Sequence, residues 1–275
     1  MNYFFLLFRN FFIKIFYKSN YIIRKIVEEE KVLLLIKSFK IYKTNHKLIR
    51  LGDLNDGGYL IPDDLNEISA SFTAGVGSTV KFEYDLAAKG IKCFVADYSV
   101  ESLPLPSFPI YKSVDKNIVF IKKFLGDKND DLYIDINQWL SKNTKINEDY
   151  ILKLDVEGDE YKLLSSITED NLSKMRIIIF EIHNFTNILH PLGFEVIKFI
   201  FDRLQKKHSI VHIHPNNVSP AIRLTKKLTL YDQLEITLLR NDRIFEKDYA
   251  KEFPHPLDSK NKFFFKSQLP DCFYL

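Results

Sequence analysis

The feature that most limits what this chain can fold into is a series of seven short apolar runs between about residues 68 and 240, with helical patterns between them. The runs are ISASFTAG, IKCFVADY, IVFIKKFLG, YILKLDV, MRIIIFEIH, SIVHIHP and LEITLLR. Most are rich in β-branched and aromatic residues, which suit a pleated surface better than a helix. Between the first two, Phe82 and Leu86 stand four apart and Gly90 supplies a stop, as in a crossover helix with one apolar stripe. Further helical patterns cover residues 135–142, 159–168 and 193–207. Strand and helix in alternation predict a doubly wound α/β sheet of parallel strands. The last two runs are separated by an irregular stretch carrying Pro215, Asn216, Asn217 and Pro220, which predicts an antiparallel excursion at one edge. Upstream, Asp56-Gly57-Gly58 between LIRLG and YLIP predicts a small hairpin leading into the sheet.

A chain of 275 residues is long enough for one large domain with appendages. Its 39 basic and 36 acidic side chains leave a net charge of +3, too balanced for a dedicated nucleic-acid binder. Cys93 and Cys272 lie far apart without disulfide or zinc spacing, which suits a reducing compartment and makes the cytoplasm the expected location. The first 27 residues interleave Phe, Leu, Ile and Tyr with Arg9, Lys14, Lys18, Arg24 and Lys25. No uncharged apolar run there is long enough to span a membrane, and no signal-peptide pattern is present. The favoured expectation is a helix packed on the core or on a second subunit. The alternative is a helix lying peripherally on the inner membrane surface. Residues 248–275 carry Pro254, Pro256 and Pro270 and read as a loop-rich tail that covers a site or caps the fold.

In such a sheet, ligands bind beyond the carboxyl ends of the strands, so the residues just after each strand matter most. Gly75-Val76-Gly77-Ser78 ends the first strand, and its glycines let a ligand approach the following helix. Asp97 ends the second strand, where an acid can accept hydrogen bonds from ribose hydroxyls. Val80 stands where dinucleotide sites place a third glycine, so the pattern favours a mononucleoside cofactor over NAD. Asp127, after the third run, is a candidate partner of an adenine amine, although a water-facing acid is the commoner state of such a residue.

The fourth run, ILKLDVEGDEY, sets Asp155 at a strand end with Glu157, Asp159 and Glu160 close behind. Asp159 and Glu160 read as charges on the first turn of a helix. Asp155 and Glu157 call for a cation or a donor, because burying a carboxylate is costly. Glu181 and His183 end the fifth run and His212 and His214 the sixth, before Asn216 and Asn217. If the strands are parallel, Asp155, Glu181, His183 and His214 reach one rim, with Glu181 and His183 on one face of their strand and His212 and His214 on one face of theirs. Asp155, Glu181 and His183 form a candidate site for a divalent ion such as Mg, Mn or Fe, or a base that takes a hydroxyl proton, with Glu157 and His214 further candidates for the chemistry. His214, Asn216 and Asn217 are candidate substrate contacts.

Together DGGYLIPDDL at 56–65, SFTAGVGSTVKFEYDLAAKG at 71–90, VADYS at 95–99 and LKLDVEGDEY at 152–161 resemble the FkbM family of S-adenosylmethionine-dependent methyltransferases. The resemblance runs from about residue 50 to 240 and implies a Rossmann-like, seven-stranded class I methyltransferase fold with its last strand antiparallel. On that basis residues 1–45 form an N-terminal helical extension, 46–247 the methyltransferase domain and 248–275 the tail. The resemblance implies methyl transfer from S-adenosylmethionine to oxygen, commonly on sugars. An expected acceptor is a sugar or sugar nucleotide used in capsule or lipopolysaccharide synthesis. It also implies that Gly75 and Gly77 line the amino-acid end of the cofactor, that Glu83 is a neighbour and that Asp97 holds the ribose. The same segments make Asp56, Tyr59, Tyr98 and Asp155 candidate cofactor contacts. The rival functions are a nicotinamide-dependent oxidoreductase, against which Val80 argues, and a non-catalytic membrane-surface binding protein, which leaves the strand-end acids unexplained.

Overall fold

The computed structural model describes residues 11–18, 20, 24–104, 109–218, 220–259 and 268–274. All seven expected strands form one sheet: β1 Ile68–Ala74, β2 Lys92–Ala96, β3 Ile118–Ile121, β4 Asp149–Leu154, β5 Met175–Ile182, β6 His208–Pro215 and β7 Leu234–Arg240. Their order is β3-β2-β1-β4-β5-β7-β6. Strands β1 to β5 pair in parallel, whereas β7 runs antiparallel to both β5 and β6. The expected excursion is therefore real.

The helices are α1 Glu29–Ser38, α2 Lys81–Ala88, α3 Pro109–Val114, α4 Ile136–Asn143, α5 Glu160–Ser166, α6 Glu169–Lys174 and α7 Pro191–Leu204. Helix α4 starts where Asp135 accepts the Gln138 amide at 2.8 Å, and α6 where Thr168 accepts the Asn171 amide at 3.3 Å; both cap donors that a helix start leaves free. Along β4 the side chains alternate. Tyr150, Leu152 and Leu154 join a large apolar cluster with Phe72, Phe180, Trp139 and Phe201, whereas Ile151 joins Ile177, Ile179, Phe82 and Leu86 on the other face.

Helix α1 buries Val32, Leu35 and Ile36 in the larger cluster, and Phe39, just past its end, joins them stacked on Phe201 at 3.9 Å. Leu269, Cys272 and Phe273 join the same cluster, and Tyr42–Thr44 pairs with Lys247–Tyr249 as a two-stranded ribbon. Packing is thus continuous across residues 45 and 247. One half of the favoured reading of the first 27 residues, packing on the core, meets a correction where they are described: Phe11, Ile15, Phe16 and Tyr17, in a helical stretch, are exposed and do not pack on the core. Residues 1–10, 19 and 21–23 lie outside the described residues.

The expected hairpin pairs Leu48–Leu51 with Tyr59–Pro62 and lies over the face of β5, β6 and β7. At the amino ends of the strands, Arg176 is buried between Asp149 and Asp64, while Arg240 and Arg243 reach the same two carboxylates. These bonds overcome the upward push of burial and hold both carboxyls below their ordinary range.

Candidate active site

At the opposite end of the sheet, β1 and β4 end beside each other, and the Asp155 amide donates to the Ala74 carbonyl at 2.9 Å. The chain turns away at Gly75, whose φ is +77°. A Cβ there would fall 1.6 Å from the Asp155 carbonyl oxygen, so only glycine fits. Gly77 also has a positive φ, +49°, but a Cβ there would meet nothing within 4 Å. Its backbone borders open space, as the approach of a ligand requires.

Asp97 anchors this turn. Its Oδ2 accepts the amides of Val76 at 2.8 Å and Gly77 at 3.0 Å, and its Oδ1 accepts both the amide and the hydroxyl of Ser99 at 2.7 Å. Burial pushes this carboxyl up, but the Val76 amide and the Ser99 and Gly77 bonds outweigh it and hold it low. Four donors occupy Asp97, so a ribose would have to displace one of them, with the Ser99 hydroxyl the most easily rotated.

Asp155, Glu181 and His183 converge beyond β4 and β5. One potential ligand atom from each lies within 4.8 Å of the others. Tyr59 reaches down from the hairpin and donates to Asp155 Oδ2 at 2.7 Å, and Asn216 Nδ2 donates to Glu181 Oε1 at 2.7 Å. The antiparallel pairing of β5 and β7 sets Glu235 opposite Glu181, and that of β6 and β7 sets His214 opposite Glu235. Burial raises the Asp155 carboxyl, against the Lys153 charge and the Tyr59 bond. It raises Glu181 well above the ordinary range, helped by the charges of Asp155 and Glu235. Buried acids that repel one another are a place for a cation.

Glu160 completes the group and was not legible as a functional residue. It is fully buried rather than a solvated charge on a helix turn: Oε1 accepts the Val156 amide at 2.9 Å, Oε2 the Gly158 amide at 3.0 Å, and Oε1 lies 3.0 Å from His183 Nδ1. Burial lowers the His183 pKa, but the bond and charge of Glu160 more than restore it, so the imidazole is raised. With Nδ1 donating to Glu160, Nε2 is left facing Glu181 at 3.9 Å and Glu157 at 3.3 Å. A carboxylate holding the far nitrogen of a histidine is the usual support of a metal ligand. Two carboxylates and one imidazole match a hard or borderline divalent ion.

The other expected site residues lie as follows, with Glu83 the one that needs correction. Glu83 is fully buried and ion-paired at 3.3 Å with Lys153, whose ammonium lies over the rings of Tyr59 and Phe82, so Glu83 does not face a ligand. The third run breaks at Lys122-Lys123: β3 ends at Ile121, and Phe124–Gly126 pairs separately with Tyr133–Asp135. Asp127 lies at the surface and pairs with Lys162 at 2.7 Å, as expected of a water-facing acid. Tyr98 packs against Phe124 and lies under the Lys122 ammonium. Asp56 is exposed at the hairpin tip, Glu157 is 86% exposed, and Asn217 is buried.

His212 and His214 do share a face, but the tail claims both. Asp258 lies 2.9 Å from His212 Nε2 and 3.3 Å from His214 Nδ1, the latter without hydrogen-bond geometry, and His214 Nε2 lies 3.0 Å from the Ser259 carbonyl. His214 thus meets the tail at both ring nitrogens while staying on the sheet face it shares with Glu235. Two cavities lie away from this rim. One of about 720 Å³ adjoins His212, Tyr42 and Tyr249, and another of about 1200 Å³ adjoins Asp149 and Arg176 at the far end of the strands.

The strand order, the reversed β7 and the glycine turn after β1 define a class I methyltransferase fold. Residues 130–209, which hold Asp155, Glu160, Glu181 and His183, match the family model described as the methyltransferase FkbM domain, a match consistent with an FkbM-family methyltransferase. That match supports a methyltransferase that uses S-adenosylmethionine. No curated protein matches the chain. Among solved structures, it is similar to a chain of the fibrillarin/Nop5p complex, at 13% identity over 64% of this chain and 74% of that one, TM-score 0.37. It is similar to the 23S rRNA methyltransferase ErmE at 8% over 82% and 73%, TM-score 0.34. It is also similar to the bifunctional kinase-methyltransferase WbdD at 10% over 66% and 38%, TM-score 0.36.

Proposed function

We propose that this methyltransferase acts on a hydroxyl group of a sugar or sugar nucleotide, assisted by a divalent cation held by Asp155, Glu181 and His183. The convergence of these three side chains beside the Gly75–Gly77 turn carries the reading. S-adenosylmethionine supplies a methyl group already activated on sulfur, so the protein's task is to place an oxygen in line with it. A sugar hydroxyl is a weak nucleophile at neutral pH and gains from a cation or a base beside it. Asp155 and Glu181 supply the negative charge that would hold the cation. Glu160 fixes the His183 ring so that Nε2 faces the same space. Tyr59 and Asn216 orient the two carboxylates. The sugar acceptor, and with it a place in surface-glycan synthesis, rests on the resemblance in sequence.

A metal-free reading is favoured by one observation: the Glu160 bond raises His183, as suits an imidazole that accepts and keeps a proton during transfer. Chelation separates the two. Calorimetry with S-adenosylhomocysteine, with and without Mn²⁺, tests the whole reading; binding that tightens with the ion is expected, and no heat with either ligand would overturn it. Asp155→Ala should abolish transfer and leave the fold intact, and full activity after chelation would discard the cation and leave His183 as the base.

A further inference from the structure

We infer that the amino-terminal segment seats the enzyme on an anionic membrane surface. The first 27 residues contain five basic side chains, nine aromatic ones and no acid; the sign of charge then reverses at once in Glu28-Glu29-Glu30. Residues 11–17 are helical, with Phe11 59%, Ile15 45% and Tyr17 74% exposed. Lys14 and Lys18, one helical turn apart, form a cationic stripe flanked by Phe11 and Ile15. The chain rejoins the body at Val27, whose amide donates to the Leu189 carbonyl at 2.9 Å.

Large exposed aromatics without a covering surface mark a docking site, and the charge selects its occupant. A second copy of this segment would bring five cations against five. An anionic bilayer instead offers apolar depth for Phe and Ile and negative head groups for Lys and Arg, whose long stems reach back to the interface. Arg9, Lys14 and Lys18 interrupt the apolar residues of the segment, which suits lying along a surface better than crossing it. This inference does not depend on the acceptor or the cation, and its test reads no activity.

The test is flotation of the full chain with vesicles of phosphatidylcholine alone and of an equal mixture with phosphatidylglycerol. The chain should float with the anionic vesicles at low salt, less at high salt, and remain behind with the neutral ones. Each cation near such a surface contributes enough that the double variant Lys14→Ala, Lys18→Ala should partition about 30-fold more weakly. Phe11→Ser with Phe16→Ser should release the chain too, and circular dichroism should show both variants folded. Equal flotation of the lysine variant and the parent, or no flotation with either composition, overturns the inference. So does a dimer that Phe11→Ser and Phe16→Ser convert to monomer without any vesicle binding, since the occupant is then a second copy.

Discussion

The Tyr59 hydroxyl donates to Asp155 Oδ2 at 2.7 Å, tying a hairpin that precedes the sheet to the carboxylate at the end of β4. Tyr59→Phe keeps the ring and removes that donor, leaving a half-buried carboxylate one bond short. Stability should fall by about 1–2 kcal/mol, read as a lower urea midpoint with an unchanged slope. An unaltered midpoint would mean that the bond does not hold the hairpin down.

Divalent cations should stabilise the fold, increasingly so toward alkaline pH. Glu181 has a folded pKa well above its ordinary 4.5. Its neutral form therefore favours folding at low pH, and that contribution is lost as pH rises through the folded value, where the repelling carboxylates need a counter-ion. A saturating ion at one hundred times its dissociation constant is worth about 2.7 kcal/mol, or very roughly 5–10 °C in a chain of this size. Thermal scans with Mn²⁺ at acid and alkaline pH check this; a shift that is absent, or larger in acid, refutes it.

The two glycines of the turn should fail in different ways. Gly75→Ala drives a methyl group into the Asp155 backbone and should prevent folding or destabilise by several kcal/mol, about 3 or more. Gly77→Ala meets open space and carries only the strain of its positive φ, about 1–2 kcal/mol. It should fold and bind S-adenosylhomocysteine poorly. Circular dichroism and calorimetry separate these outcomes.

Asp258→Ala should loosen the tail. His212 and His214 lose a shared partner, and the buried imidazoles are left to water or to each other, at about 2–3 kcal/mol. Faster cleavage near residues 254–259 in limited proteolysis is the readout. Cleavage at the parent rate would assign the anchoring of the tail to Leu269, Cys272 and Phe273 instead.

Acid should first attack the other end of the sheet. Asp149 is held below its unfolded value of 3.8 by Arg240 and Arg176, so its contribution is present above that pH and disappears as pH falls through the folded value. Asp149→Asn leaves the buried Arg176 with Asp64 as its remaining carboxylate partner and should cost about 1–3 kcal/mol at neutral pH, while flattening the acid limb of the stability profile.

The sheet was legible because seven runs kept their apolar character long enough to identify strands, and because parallel strands end at one rim. Asp155, Glu181 and His183 met for that reason. Glu160 was not legible. It sits beside Asp159 as if both were first-turn charges, and only the left-handed backbone at Glu157, with Gly158, folds the loop so that one side chain points inward. Asp258 was hidden differently, since nothing local links it to histidines more than forty residues earlier. The third strand reads too long in the sequence because the apolar run through Phe124 conceals a break at two lysines, whereas Asp127 takes the commoner state expected for it, an acid at the surface.

The reversal of β7 has a consequence for how this enzyme can change its acceptor. Because that strand runs against its neighbours, both ends of the stretch from Asn216 to Gln233 fall on the reactive side of the sheet, with Glu235 just inside its exit. Residues can be exchanged in its exposed part, 220–227, without moving a strand of the main sheet, so a lineage could retarget the enzyme while the scaffold beneath stayed as it was.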